Sequence, residues 1–191
     1  QEFLSWYYHR FATYRNHGPN DVHHWLSDKN LITQNIDGLD GKAGNKDYIA
    51  IHGRLDQMTL FHTQGDAVEC RQTPWDSVDE DNLTESLFKV FNINEQSQRP
   101  ELNHSFKPYV LLFDEYYTEL YRISEAQNRM MMANKMVFIG TSFSVNITQM
   151  ALRAAITNGI DIEIVDPNPV EIDYSRVHYH KMKASEYIQR S

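Results

Sequence analysis

Met136-Val137-Phe138-Ile139-Gly140-Thr141-Ser142 opens the stretch that decides the fold. Consecutive apolar residues rich in β-branched and aromatic side chains predict a buried strand, and Gly-Thr-Ser after them predicts a strand-to-helix turn. Beyond it, Ile147, Met150, Ala151, Ala154 and Ala155 fall on one helical face, and Asn158-Gly159 supplies a helix stop. Ile160, Ile162 and Ile164 then alternate as a second strand running into Asp166-Pro167. Strand, helix, strand at this spacing predicts a parallel, right-handed crossover unit. Ligands of such sheets sit at the carboxyl ends of the strands. The polar clusters Thr33 to Asp37, His52, Gly140 to Ser142, and Asp166 fall at such ends.

Upstream, Tyr109-Val110-Leu111-Leu112-Phe113 predicts another buried strand, and Tyr117 to Met132 a helix. Leu31-Ile32-Thr33 and Asp47 to His52 read as short strands, the second stopping at His52-Gly53. Residues 1–26 read as helical, with Phe3, Trp6, Tyr7, Arg10 and Phe11 at three- and four-residue steps. Gly18-Pro19-Asn20 breaks that run, and Asn20 is expected to cap a second helix carrying Val22, Trp25 and Leu26. Residues 54–105 change character: they hold Cys70, many acidic and amide side chains and few aliphatic ones, with one short helix expected over Thr84 to Phe91. The expected organisation is one α/β unit, residues 1–53 and 106–191, with residues 54–105 as a small inserted module.

The composition bounds the function. The chain has 191 residues and a formal charge of −8, a poor match for nucleic acid, which needs a basic face. A single cysteine, Cys70, excludes an internal disulfide and a four-cysteine zinc site. Low cysteine use fits a reducing compartment, so a cytoplasmic location is expected. No apolar run reaches the length of a membrane span, and no signal peptide is visible. The sequence leaves the oligomeric state open.

Thr33-Gln34-Asn35-Ile36-Asp37-Gly38-Leu39, the Lys42-Ala43-Gly44 turn, His52-Gly53, Gly140-Thr141-Ser142 and Pro19-Asn20 with His23 together resemble the sirtuins, in order and in spacing. The resemblance covers roughly residues 1–55 and 106–191. It implies a Rossmann-like parallel sheet flanked by helices. It also implies an NAD-dependent protein-lysine deacylase (a deacetylase, with desuccinylase or demalonylase activity in view) that releases nicotinamide and O-acyl-ADP-ribose.

By that resemblance, Asn35 and Asp37 would line the nicotinamide pocket, with Gln34 near the ribose and Asn35 counted with the catalytic residues. Amide and carboxylate side chains suit this, because they make defined hydrogen bonds. His52 would be the general base, its imidazole titrating near neutrality. Gly140, Thr141 and Ser142 would contact the cofactor at a helix start. Asp166 would accept from the adenosine ribose, and its charge disfavours an added phosphate, so NAD is expected over NADP. Phe113, in Phe113-Asp114-Glu115, and Val145, after Ser142, would flank an acyl-lysine peptide added as a strand. Tyr7 and Arg10 match the Tyr-x-x-Arg pair of sirtuins that remove acidic acyl groups, where guanidinium and phenol pair with an acyl carboxylate.

The chain departs from the family in four places, one of them Asp166, where the family usually has Asn. Its glycine-rich NAD segment and first strand would precede Gln1. The zinc cysteines are absent, with Leu60 where the first is expected, so the small module should lack the usual zinc ribbon. His62, Cys70 and His104 match no metal-ligand spacing, and no metal is expected. Asp114 stands where the family has Gly. Two rival readings stay open: a sirtuin-like NADase or ADP-ribosyltransferase using the same pocket, and a nucleotide sensor without turnover. Without the resemblance, Asn35 and Asp37 would read as turn formers, Gly140 to Ser142 as a capped turn, and Tyr7 and Arg10 as helix packing with a snorkelling arginine.

Overall fold

A computed structural model describes residues 2–190; Gln1, the first residue of the expected helical stretch, and Ser191 lie outside the described residues. Helix α1 (Glu2–Tyr14) buries Leu4, Tyr7 and Tyr8 at three- and four-residue steps. After the Gly18-Pro19 break, α2 (Asp21–Trp25) starts with a reciprocal cap. The Asn20 side chain accepts from the His23 N–H, and the His23 ring accepts from the Asn20 N–H.

Strands β1 (Ile32–Thr33) and β2 (Ile49–Ala50) pair in parallel and are joined through α3 (Leu39–Lys42). Ile49 and Ile51 are fully buried. The chain then turns at Ile51-His52 into β3 (Gly53–Leu60), the centre of an antiparallel sheet. Its neighbours are β4 (Cys70–Gln72) and β5 (Phe106–Val110). Between those neighbours lies α4 (Leu83–Phe91). Leu87 and Phe91 of α4 meet Leu4 and Tyr8 of α1, Leu55 and Met58 of β3, and Trp75 in one core. Trp75 is 2% exposed and donates its indole N–H to the Leu55 carbonyl at 2.8 Å. Burying roughly 200 Å² of tryptophan at about 25 cal/mol per Å² contributes on the order of 5 kcal/mol before entropy.

Strand β5 lies three residues earlier than the expected 109–113. Lys107 and Pro108 interrupt the apolar pattern, yet Lys107 is buried because it pairs with Glu115. Glu115 also accepts from the Leu112 N–H at 3.0 Å and turns the chain away from the sheet. Phe113, the end of the apolar run, stands fully in solvent. The helix expected over 117–132 is shorter as well. Arg122 adopts a left-handed φ of 57° and separates a short 3-10 turn, Glu119–Tyr121, from α5 (Ile123–Met132).

The carboxyl-terminal part carries the expected parallel unit. Strand β6 (Lys135–Ile139) passes through α6 (Asn146–Thr157) to β7 (Asp161–Val165), with Phe138 opposite Ile164. A further parallel strand, β8 (Val177–His180), pairs with β7, and α7 (Ala184–Tyr187) ends the fold. The architecture is α/β, with parallel sheets flanked by helices. The parallel strands form two hydrogen-bonded sheets, β1–β2 and β6–β7–β8. Among the described residues no helix is long and apolar enough to cross a membrane.

Candidate functional site

A cavity of about 1120 Å³ opens where α1, the segment after β1, the β2–β3 turn and the turn after β5 converge. Helix α1 contributes Trp6, Tyr7 and Arg10 to its lining; the segment after β1 contributes Gln34, Asn35 and Asp37. His52, Phe113, Tyr117 and Val145 close the remaining sides.

The segment after β1 is shaped by its own side chains. The Asn35 N–H donates to Thr33 Oγ1 at 3.2 Å, and the Leu39 N–H to Asp37 Oδ1 at 2.9 Å. Gly38 takes a φ of 72° at the start of α3, a conformation glycine adopts without penalty. The side-chain amides of Gln34 and Asn35 have no hydrogen-bond partner among the described residues. They face the cavity with their donors and acceptors free.

His52 sits in the turn between the parallel pair and the antiparallel sheet. Its carbonyl accepts from the Leu111 N–H at 3.0 Å, and its ring Nε2 lies 2.9 Å from Tyr117 Oη. The two rings lie nearly parallel, 13° apart in plane and 5.9 Å between centroids. Burial pushes the imidazole pKa below its ordinary value, opposed by a hydrogen bond to the Gln34 backbone. His52 is therefore held neutral and able to accept a proton around pH 7.

On α1, Tyr7 is 7% exposed. Burial pushes its phenol pKa up, with Arg10 opposing and Glu115 adding to the shift. Its hydroxyl has no partner among the described residues. Arg10 lies with its guanidinium 4.9 Å over the Trp6 ring, a cation–π contact. It makes no ion pair among the described residues. Phe113 and Val145 are exposed at the cavity mouth.

Gly140, Thr141, Ser142 and Asp166 are not part of this lining. They stand at the carboxyl ends of β6 and β7, where the Gly140 N–H donates to the Val165 carbonyl at 3.0 Å. Gly140 has a φ of +61°, and a Cβ there would meet nothing within 4 Å. Thr141 Oγ1 accepts from the Phe143 N–H, and Asp166 Oδ1 from the Asn168 N–H at 2.7 Å. The sequence-derived site residues thus fall into two groups, one around His52 and one at the ends of β6 and β7.

Two features of the cavity have no counterpart in the sequence reading. One is Tyr117, expected only as the first residue of a helix; no local signal ties it to a histidine 65 residues away. The other is the buried Lys107–Glu115 pair that fixes the turn carrying Phe113. Among the described residues no group of three His, Cys, Asp or Glu side chains is placed to hold a metal ion. Burial pushes the Cys70 thiol up to about 11.

The sequence matches a family model described as the Sir2 family over residues 1–147. Similar curated proteins include NAD-dependent deacetylase sir2E of Dictyostelium discoideum. It is 30% identical over 157 residues, covering 74% of this chain and 44% of that protein. NAD-dependent protein deacetylase 1 of Geobacillus kaustophilus is 26% identical over 180 residues, covering 91% of this chain and 65% of that protein. The chain therefore spans about half to two thirds of the length of these relatives. Among solved structures, a Sir2 homolog–NAD complex superposes with a TM-score of 0.73 at 21% identity, covering 98% of this chain and 68% of that one. Sir2Tm bound to a propionylated peptide gives 0.70 at 19% identity, over 96% and 75% of the two chains. These structural likenesses bear on the fold; the match over residues 1–147, more than half of the chain, settles the family. This chain belongs to the Sir2 family.

Proposed function

We propose that this protein removes acyl groups from protein lysines in an NAD-dependent reaction that releases nicotinamide and O-acyl-ADP-ribose. One observation carries the reading: Gln34, Asn35, Asp37 and His52 share a single cavity with the exposed Phe113 and Val145. The naming of the Geobacillus relative as an NAD-dependent protein deacetylase supports it. So does the binding of NAD and of a propionylated peptide by structural neighbours.

The residues present fit NAD by their chemistry. The free amides of Gln34 and Asn35 can hold a carboxamide or ribose oxygens, since each offers both donors and an acceptor. Asp37 offers a carboxylate beside them. At the second group, Asp166 offers a carboxylate to ribose hydroxyls, and Gly140 leaves open space where any larger residue would place a Cβ. When bound, NAD supplies a glycosidic bond to nicotinamide whose cleavage leaves an electron-poor ribose carbon for the acyl oxygen.

The work of this chain is then to bind, orient and move one proton. Asn35 and Asp37 hold the nicotinamide end. His52, neutral by burial, accepts a ribose-hydroxyl proton at Nε2. Phe113 and Val145 flank the extended peptide, and the Lys107–Glu115 pair keeps the Phe113 turn in place. Tyr7 and Arg10 give an acidic acyl group its partners: an unpaired buried phenol and an unpaired guanidinium one helical turn apart. Succinyl- and malonyl-lysine are the favoured substrates on this ground.

The test incubates the protein with NAD, with and without acetyl- or succinyl-lysine peptide, and measures nicotinamide. Release is expected only with peptide, and is lost in His52→Ala. Release that ignores peptide would overturn the deacylase reading in favour of an NADase or ADP-ribosyltransferase. NAD binding without turnover would favour a sensor. Arg10→Met should lower succinyl-peptide kcat/KM relative to acetyl-peptide by about ten-fold or more, the worth of a charge-assisted pair. An unchanged ratio refutes the acyl preference.

A further inference from the structure

The His52 ring is held from two sides. One edge faces the Gln34 backbone, which raises the imidazole pKa against burial. At the other, Nε2 meets Tyr117 Oη at 2.9 Å. A third group lies beside this pair. The Ile147 backbone, in the first turn of α6, faces the Tyr117 hydroxyl and opposes the upward push of burial on its phenol pKa. The Ile147 N–H is one of the amides a helix start leaves without an internal partner, and no side chain caps α6. At 2.9 Å the Tyr117 hydroxyl proton can point at His52 Nε2. The nearly parallel rings also oppose rotation of the imidazole.

We propose that Tyr117 is a positioning residue for His52, its hydroxyl donating to Nε2 and so holding the imidazole in the tautomer protonated on Nδ1. Which ring nitrogen carries the proton is set by the bond the other one makes. Here the Tyr117 O–H supplies a donor to Nε2, and the Gln34 carbonyl an acceptor for the opposite N–H. The consequence is a base whose accepting nitrogen is already unprotonated, and at which a ribose hydroxyl takes the place of the Tyr117 O–H when its proton is transferred. Arg10, Asp37 and Glu115 line the same cavity, but none is among the groups that shift His52. The catalytic meaning of the arrangement rests on the deacylase reading; the tautomer itself does not.

The test is therefore chosen to read His52 without turnover. The protein is labelled at the imidazole nitrogens, His52 is assigned with His52→Gln, and nitrogen–proton correlation spectra are followed through a pH titration. The eight other histidines serve as controls, since the sequence holds nine. Wild-type protein is expected to show the Nδ1-protonated pattern for His52. Tyr117→Phe keeps the ring stack and removes the donor. In it the pattern should move towards the Nε2-protonated form, and the His52 midpoint should rise by about half to one pH unit, the worth of one neutral hydrogen bond. Tyr117→Leu, which loses the stack as well, should show the same change. The acid limb of kcat/KM should move with the midpoint in both variants. An unchanged tautomer and midpoint in Tyr117→Phe, with the other histidine signals in place, overturns the assignment whatever the activity. A changed tautomer in a protein that does not process NAD overturns the deacylase reading and leaves the Tyr117 assignment standing.

Discussion

Gly53→Ala should damage this protein more than any other glycine-to-alanine change, and the structure says by how much. Gly53 has a φ of +83°, and a Cβ there would sit 2.0 Å from the Tyr109 carbonyl oxygen and 3.0 Å from the Val110 Cα. Ordinary carbon–oxygen contacts lie near 3.3 Å or more, so the strands must part by about 1.3 Å. That opens the Gly53–Val110 end of the β3–β5 ladder and the adjacent Leu111 N–H to His52 carbonyl bond. The left-handed conformation costs about 1–2 kcal/mol with a Cβ, and two weakened backbone bonds add about 0.5–1.5 kcal/mol each. The sum is about 2–5 kcal/mol, or a fall in Tm of roughly 4–20 °C for a domain of this size. Urea denaturation followed by tryptophan fluorescence measures it. Gly65→Ala is the control: its φ is +97°, but a Cβ there meets nothing within 4 Å. It should lose only the conformational part, about 1–2 kcal/mol. If the two variants have the same stability, the close approach at Gly53 is not what requires glycine.

Two further predictions follow from buried titratable groups. Lys107→Met leaves the Glu115 carboxylate buried without its partner, since the pair is only 8% and 14% exposed. The loss should be about 3–5 kcal/mol in urea denaturation, with much of it recovered when Glu115→Gln is added; equal losses in the single and double variants would refute the pairing. For His52, the folded pKa is depressed by burial, so unfolding takes up a proton at and below the ordinary value. The stability that neutral His52 contributes is therefore complete above about pH 6.5 and is lost as the pH falls through the folded value. Urea midpoints should drop less between about pH 7.5 and 5 in His52→Gln than in the wild type, and parallel profiles would contradict the burial argument.

The parallel unit was legible because its signals are local. Met136 to Ile139, the apolar face from Ile147 to Ala155, and the alternation to Ile164 each lie within one element, and β6, α6 and β7 follow them. The place of Gln34, Asn35 and Asp37 was legible for a related reason: all three sit on one short segment beyond a strand end. What the sequence hid depends on long-range pairing. Lys107 breaks an apolar pattern, so strand β5 was expected three residues late; the carboxylate that permits its burial is eight residues away. Tyr117 was legible only as the start of a helix because its partner, His52, lies 65 residues off. The start of α5 was missed because the left-handed turn at Arg122 falls on a residue with no turn signature. Its side chain compensates by bonding Glu125, Asp47 and the Tyr48 carbonyl.

The aromatic run of residues 3–14 serves both the core and the cavity: Tyr7 and Phe11 belong to both, while Trp6 and Arg10 belong to the cavity lining alone. The core contacts centre on Trp75, which stacks on Phe11 at 5.3 Å and lies 5.9 Å from Tyr8 and 5.5 Å from Phe91. Tyr8 also donates to Glu80 at 2.7 Å. Trp6 and Arg10 turn to the cavity. His52 depends on neither, since Leu111, Gln34 and Tyr117 hold it. Trp75→Leu should therefore cost on the order of 3 kcal/mol and loosen α1. KM for a succinyl-peptide should rise, while the imidazole signals of His52 keep their wild-type positions. If those signals move as far as the α1 signals do, the two halves of the cavity are coupled through the core, and Tyr7 and Arg10 cannot be varied without disturbing the base.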